Sequence, residues 1–259
     1  MKNKTVEKMY PFVKTHDERI DFIDKLVKLL TSKYKEEIES VILYGSVSRS
    51  EDDRFSDVEL TVIMKTPNFK KVYEGIYDGY KYQTIMIGKN LAYEDIEDID
   101  LVWPLRLGTY LDGKVIYGNQ DIVGDFQECF NKVIQLDFNR SLKKEFVNHI
   151  YETFCKFFNS SDKNDTVRMY ALADYLFWKV VSFVGLINKY QYKTTLTRVQ
   201  DSLELEQNFP SFQKWGRKFV KGETYSVNEL KDVVSNLYTE FMDYFKDNNI
   251  VIHDDELQY

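Results

Sequence analysis

"VILYGSVSRSEDDRFSDVELTVIM", residues 41–64, is the stretch whose reading decides the fold. Its first apolar run stops at Tyr44-Gly45-Ser46. A polar stretch follows, and Asp57 and Glu59 then open a second apolar run, one residue apart. Two strands joined by a loop account for the pattern, since residues 39–44 and 57–64 are short, apolar and rich in β-branched side chains. On a strand, Asp57 and Glu59 share one face. Ionised carboxylates are costly to bury unless something positive meets them. A hard divalent cation such as Mg²⁺ meets that need, because it takes a few carboxylates and completes its shell with phosphates and water. Gly45 lets the backbone come close to a ligand, and Ser46 adds a hydroxyl donor beside outward amides that suit phosphate oxygens. A phosphate cradle next to a paired-carboxylate metal site is the equipment of phosphoryl or nucleotidyl transfer. Taken singly, Gly-Ser is a common turn, and alternating acids often mark a strand's solvent face. Together, on adjacent apolar runs, they point to a site. The competing phosphate motifs GxxxxGK[ST] and GxGxxG are absent.

The rest of the chain sets the frame. Its 259 residues are 43% hydrophobic, enough for a substantial core. A formal charge of −7 argues against broad nucleic-acid binding, which wants a basic face, and is compatible with a cationic substrate. Cys129 and Cys155 form no CxxC pair, so neither a zinc site nor a disulfide framework is expected. MKNKTVEKMY lacks an apolar signal core, and no apolar run reads as long enough to span a bilayer. The expected location is therefore the cytoplasm, with no membrane partner.

Thr15 with Glu18 reads as a capping box opening a helix over 17–34. Further strands are expected at 80–87, after Asp78-Gly79, and at 114–117, after Asp112-Gly113. Beyond about residue 125 glycine becomes rare and helical periods take over, at 126–159, 163–190, 194–207 and 226–248. The fold class is thus α+β: a mixed β-sheet with flanking helices over 1–125, then an all-α helical bundle over 126–259. Within it, the apolar run 170–186 reads as a buried helix, Trp103 as a core anchor or a base-stacking ring, and 94–100 as a solvated acidic face.

Gly45-Ser46, the spacer and Asp57-x-Glu59 resemble the signature of the nucleotidyltransferase superfamily. More narrowly, YGSVSR, SDVE, WPLRLG at 103–108, YETFCK at 151–156 and NNIVIHD near the C-terminus are similar, in order, to blocks of the kanamycin nucleotidyltransferase (aminoglycoside 4′-O-nucleotidyltransferase) family. The resemblance implies ATP or another nucleoside triphosphate as co-substrate, Mg²⁺, a small-molecule hydroxyl as acceptor and a homodimer with active sites between subunits. It implies that Gly45, Ser46, Arg49, Lys81 and Lys156 bind nucleotide, that Asp57 and Glu59 ligate the metal, and that Glu152 is the general base. Spacing alone would make Glu152 and Lys156 an exposed i, i+4 salt bridge, contributing about 0.2–0.5 kcal/mol. Glu74 matches a carboxylate that faces the aminoglycoside. Gln83 and Asn148 stand where the family has further drug-binding carboxylates, so this substrate face carries less negative charge. An aminoglycoside is the first acceptor implied and a lincosamide the second. The other reading is a nucleotide-binding protein that regulates, or that modifies a protein as toxin–antitoxin nucleotidyltransferases do.

Overall fold

The computed structural model describes residues 13–253. Two compact units divide the chain: residues up to Asp95 with Gly108–Cys129, and Ile96–Leu107 with the residues from Phe130 onward. The segment 96–107 therefore belongs with the helices, a detour that a single cut between 125 and 126 does not contain.

The first unit opens with α1 (His16–Tyr34), whose Thr15 side chain accepts from the Glu18 amide while Glu18 reaches back to the Thr15 amide. This is the expected capping box. Strands β1 (Ile38–Tyr44), β2 (Val58–Met64), β3 (Lys70–Tyr77), β4 (Tyr80–Gly88) and β5 (Lys114–Gly118) form one sheet in the order β3-β4-β2-β1-β5. β2 and β4 run parallel, and the other neighbours are antiparallel. The sheet is mixed because β3 and β4 form a hairpin that returns β4 alongside β2. Asp78 and Gly79 both take positive φ, +50° and +78°, as a two-residue hairpin turn requires. β3 was not foreseen. It is an edge strand with side chains largely exposed, so burial imprints no apolar alternation on its sequence.

One sheet face packs on α1. Val41, Leu43, Val58, Leu60, Val62, Met64 and Met86 meet Phe22, Ile23 and Leu30 in a core where each large side chain contributes about 1.5–3 kcal/mol. Short helices α2 (Gly45–Ser48), α3 (Lys89–Glu97), α4 (Trp103–Arg106) and α5 (Gly108–Leu111) follow the strands, and α6 (Ile122–Val133) precedes the helical half. Trp103 is fully buried, donates to Ile96 O at 2.7 Å and packs against Phe130 and Phe138, so it is a core anchor. Within 94–100, Asp100 does more than face water: it caps the amides of Val102 and Trp103 and pairs with Arg106 at 3.0 Å.

In the second unit the expected run 126–159 is not one helix. α6 stops at Val133, and α7 (Asn139–Glu145) begins after the Asp137 carboxylate accepts from the Asn139 amide at 2.9 Å. Such a local side-chain bond competes with helix continuation. Lys189 Nζ then satisfies the freed Ile134 and Leu136 carbonyls, at 2.7 Å each. α7 passes without a break into a π-helical turn, Phe146–Tyr151, and on into α8 (Glu152–Asp162). α9 (Thr166–Ile187), α10 (Arg198–Glu204), α11 (Pro210–Val220) and α12 (Val227–Asp247) complete the unit. Stacked, tilted and edge-on rings of Phe146, Phe154, Phe183, Phe209 and Phe241 fill its centre. α9 corrects one expectation: its 22 residues are long and apolar enough to cross a membrane by length and composition alone. Leu176, Val180, Phe183 and Val184 on it are nevertheless fully buried within the unit, as in a core helix.

Candidate active site

The sheet register builds the site. Tyr44 on β1 pairs with Glu59 on β2, Glu59 with Gln83 on β4, and Gln83 with Glu74 on β3. These four residues form one row across four strands, so their side chains share a face, opposite the face packed on α1. Asp57 immediately precedes β2, two residues before Glu59. Lys81 stands two residues before Gln83, on the same side of β4. The structure thus gathers Asp57, Glu59, Lys81, Gln83 and Glu74 at one end of one sheet face.

Gly45 ends β1 with φ +76°, a left-handed conformation that favours glycine. A Cβ added there would overlap Glu59 Oε2. The glycine therefore does two things: it turns the chain and lets the Glu59 carboxylate lie against the backbone. Ser48 Oγ donates to Gly45 O at 2.8 Å, and the Glu51 amide donates to Ser46 O at 3.0 Å, fixing the turn. Ser46 is half-buried beside it.

Among the described residues neither Asp57 nor Glu59 makes a hydrogen bond or an ion pair. Burial, and then the charge of Asp57, push the Glu59 carboxyl up to about 7, with Arg49 partly opposing. A carboxylate pair with no hydrogen-bonded or ion-paired cation among the described residues suits a hard divalent ion with two protein oxygens and open positions for phosphate and water. No group of three or more His, Cys, Asp or Glu side chains suited to a metal exists among the described residues.

Arg49 is held by Asp112 at 2.6 Å and by Glu51 at 2.7 Å. Lys81 Nζ donates to Glu74 Oε1, and that bond, followed by the lysine's charge, holds the Glu74 carboxyl below its usual value. Two proposed nucleotide cations are therefore each engaged with carboxylates that a phosphate would have to replace or join. Tyr44, not singled out from sequence, donates to Gln83 Oε1 at 3.1 Å, and burial pushes its phenol up. A tyrosine at the end of an apolar run carries no sequence mark of this role.

Arg19 was also missed. It is buried on α1, pairs with Asp52 at 2.8 Å and donates to the carbonyls of Lys14, Asp53 and Ser56. His16 Nδ1 meets the other Asp52 oxygen at 2.6 Å. Together they clamp the spacer between Gly45-Ser46 and Asp57, placing His16 in a structural role.

The remaining expected residues lie in the second unit. Glu152 opens α8 and pairs with Lys156 one turn on at 2.7 Å, both of them exposed. The hydrogen bond from Lys156, and then its charge, lower the Glu152 pKa. Asn148 is exposed in the π-helical turn, and His149 lies 3.6 Å from the buried Glu145. π-turns often sit at functional sites, and this one sets the helical phase at which Glu152 emerges.

Residues 120–251 match the family described as the KNTase C-terminal domain. Over 243 residues, 93% of this chain and 96% of theirs, the chain is 18% identical to proteins named aminoglycoside nucleotidyltransferase (4′) from Staphylococcus aureus and from a Bacillus species. A crystal structure of a nucleotidyltransferase-like protein from Exiguobacterium sibiricum superposes with a TM-score of 0.52 at 13% identity, covering 85% of this chain and 75% of that one. The mixed sheet followed by a helical region is the fold expected from the sequence.

Proposed function

Because the chain belongs to the KNTase C-terminal domain family and is a nucleotidyltransferase, we propose that it transfers a nucleoside monophosphate from ATP, or another nucleoside triphosphate, to a hydroxyl of a small molecule of the aminoglycoside type. The observation that carries this reading is the Asp57–Glu59 pair, partly buried, without a hydrogen-bond or ion-pair partner among the described residues, and with Glu59 laid against Gly45. In this reading the first unit is the nucleotidyltransferase domain and the second the helical domain, working as a cytoplasmic homodimer.

Asp57 and Glu59 would hold Mg²⁺, which when bound neutralises charge on the triphosphate. Gly45 and Ser46 receive phosphate oxygens, and Arg49, Lys81 and Lys156 supply positive charge to them. Glu152, with a lowered pKa, is ionised at neutral pH and accepts the proton of the acceptor hydroxyl. The new bond joins that oxygen to the α-phosphorus, and the bond from the α-phosphorus to the bridging oxygen breaks, releasing pyrophosphate. Glu74, Gln83 and Asn148 face the acceptor. The neutral side chains of Gln83 and Asn148 support a second acceptor class of lower positive charge, such as a lincosamide.

The test is incubation with radiolabelled ATP, Mg²⁺ and a panel of both antibiotic classes, read as labelled drug and free pyrophosphate. Asp57→Asn is expected to abolish both products. Turnover by that variant at the wild-type rate refutes the metal assignment. Binding of ATP without pyrophosphate release across the panel favours a regulatory or protein-modifying role instead.

A further inference from the structure

Glu152 stands at the junction between the π-helical turn, Phe146–Tyr151, and α8. A side chain from another helix reaches that junction. Lys179 projects from α9, and its Nζ donates to His149 O and, at 3.3 Å, to Thr153 Oγ1. Thr153 Oγ1 donates in turn to His149 O at 2.9 Å. His149 lies three residues before Glu152, and Thr153 directly follows it, so this cluster brackets Glu152. A carbonyl in a regular α-helix accepts the amide four residues on. At His149 O a hydroxyl and an ammonium converge, and side chains that enter the ladder in this way bend or widen a helix.

Lys179 reaches out from a well-anchored helix. Its neighbours Leu176, Phe177, Val180 and Val181 are buried. The half-buried ammonium lies 4.1 Å from the centroid of the Tyr175 ring and makes no ion pair among the described residues. The charged or titratable groups that line a cavity of about 440 Å³ with it are Asp100, Lys144, Glu145, His149 and Arg198, besides Tyr175. Asp100 pairs with Arg106, and Glu145 lies 3.6 Å from both Lys144 and His149, so neither carboxylate balances Lys179. Its charge acts on Glu152 instead: Lys156 lowers the Glu152 pKa most, and Lys179 and then His149 add to it.

We propose that Lys179 is a positioning residue for Glu152: its ammonium group ties the π-helical turn to α9 and fixes the phase at which the Glu152 carboxylate leaves the helix. The inference rests on the reading of Glu152 as the general base. Lys179 acts through the carbonyl and the hydroxyl on either side of that base.

Amide hydrogen exchange and carbon-13 NMR titration of the Glu152 carboxyl, both on the full chain, test the assignment, with Glu152→Gln identifying the carboxyl signal. Lys179→Met keeps the apolar stem and loses the bonds and the charge. It is expected to quicken exchange at residues 149–154 by about tenfold or more, with residues 180–186 unchanged. It should also raise the Glu152 pKa, because a nearby positive charge favours the ionised carboxylate. Lys179→Arg keeps charge and donors and should restore both towards the wild type. Thr153→Val removes one partner of Lys179 but not its charge, and should quicken exchange at the same residues while leaving the titration in place. In nucleotidyl transfer, Lys179→Met should lower kcat by at least about tenfold and change the KM for ATP by less than about twofold. Wild-type exchange at 149–154 in both Lys179→Met and Thr153→Val, or a Glu152 carboxyl that titrates alike in Lys179→Met and the wild type, overturns the inference. Full turnover by Glu152→Gln overturns the reading of Glu152 as the base, a result separate from exchange and titration.

Discussion

Gly45 is held to glycine for two separate reasons, its left-handed φ and the Glu59 oxygen standing where a Cβ would go. Gly45→Ala is therefore expected to cost about 1–2 kcal/mol through backbone strain alone, and to displace Glu59 as well. Nucleotidyl transfer should fall far more than stability does, by at least about a hundredfold if the Glu59 oxygen moves by an ångström. Steady-state rates set beside a denaturant titration separate the two effects, and an active Gly45→Ala enzyme would refute the placement. Arg19 makes the complementary case. Arg19→Met keeps the apolar stem but leaves the Asp52 carboxylate, with 2% side-chain exposure, with His16 as its one ion-pair partner among the described residues. Breaking a buried pair from one side costs about 3–5 kcal/mol, so a clearly lowered denaturation midpoint is expected, checked by urea unfolding at neutral pH. Asp57, Glu59 and Gly45 were legible because acids inside an apolar run and a glycine at its end violate the local pattern. Arg19, Tyr44 and Asp112 obey theirs, and their side-chain partners Asp52, Gln83 and Arg49 lie 33 or more residues away in sequence, so no window around them contains those bonds.

Helix α12 begins with Ser226 accepting from the Glu229 amide and Glu229 reaching back to the Ser226 amide and hydroxyl. Those bonds, with Lys218 helping, hold the Glu229 carboxyl at about 2 instead of 4.5. A depressed folded pKa stabilises above the unfolded pKa, and that stabilisation is lost as pH falls through the folded one. The stability gap between the wild type and Glu229→Gln should thus be full above pH 4.5 and close between about 4.5 and 2, as followed by thermal melts across that window. Ser226→Ala should cost about 1 kcal/mol at neutral pH. Elements with such explicit starts, like α1, read well from sequence, as did strands carrying apolar runs. β3 hid because its side chains are exposed. α6 and α7 merged into one expected helix because the carbonyls freed at their break are satisfied by Lys189, more than fifty residues further on. α11 went unseen although Pro210 opens it and its apolar face, Phe212 and Trp215, is buried.

For the whole molecule, ligand linkage offers the broadest check. A triphosphate bound with its divalent ion at a hundred times its Kd stabilises by about 2.7 kcal/mol, a shift of several degrees in Tm for a chain of this size. The wild type should show that shift with ATP and Mg²⁺ together, and Asp57→Asn should lose most of it, as measured by differential scanning fluorimetry. An equal shift in both proteins would sever the pair from nucleotide binding. The change in texture near residue 125 announced a sheet half and a helical half, but not that the chain visits the helical unit early, at 96–107, before returning for β5. That visit is written in tertiary contacts of Trp103 rather than in composition. It also fixes an order of events during synthesis. As the polypeptide emerges from the ribosome, the indole of Trp103 must wait without Phe130 and Phe138 until they have been translated, so a nascent chain stalled near residue 125 would display a sticky aromatic anchor to chaperones.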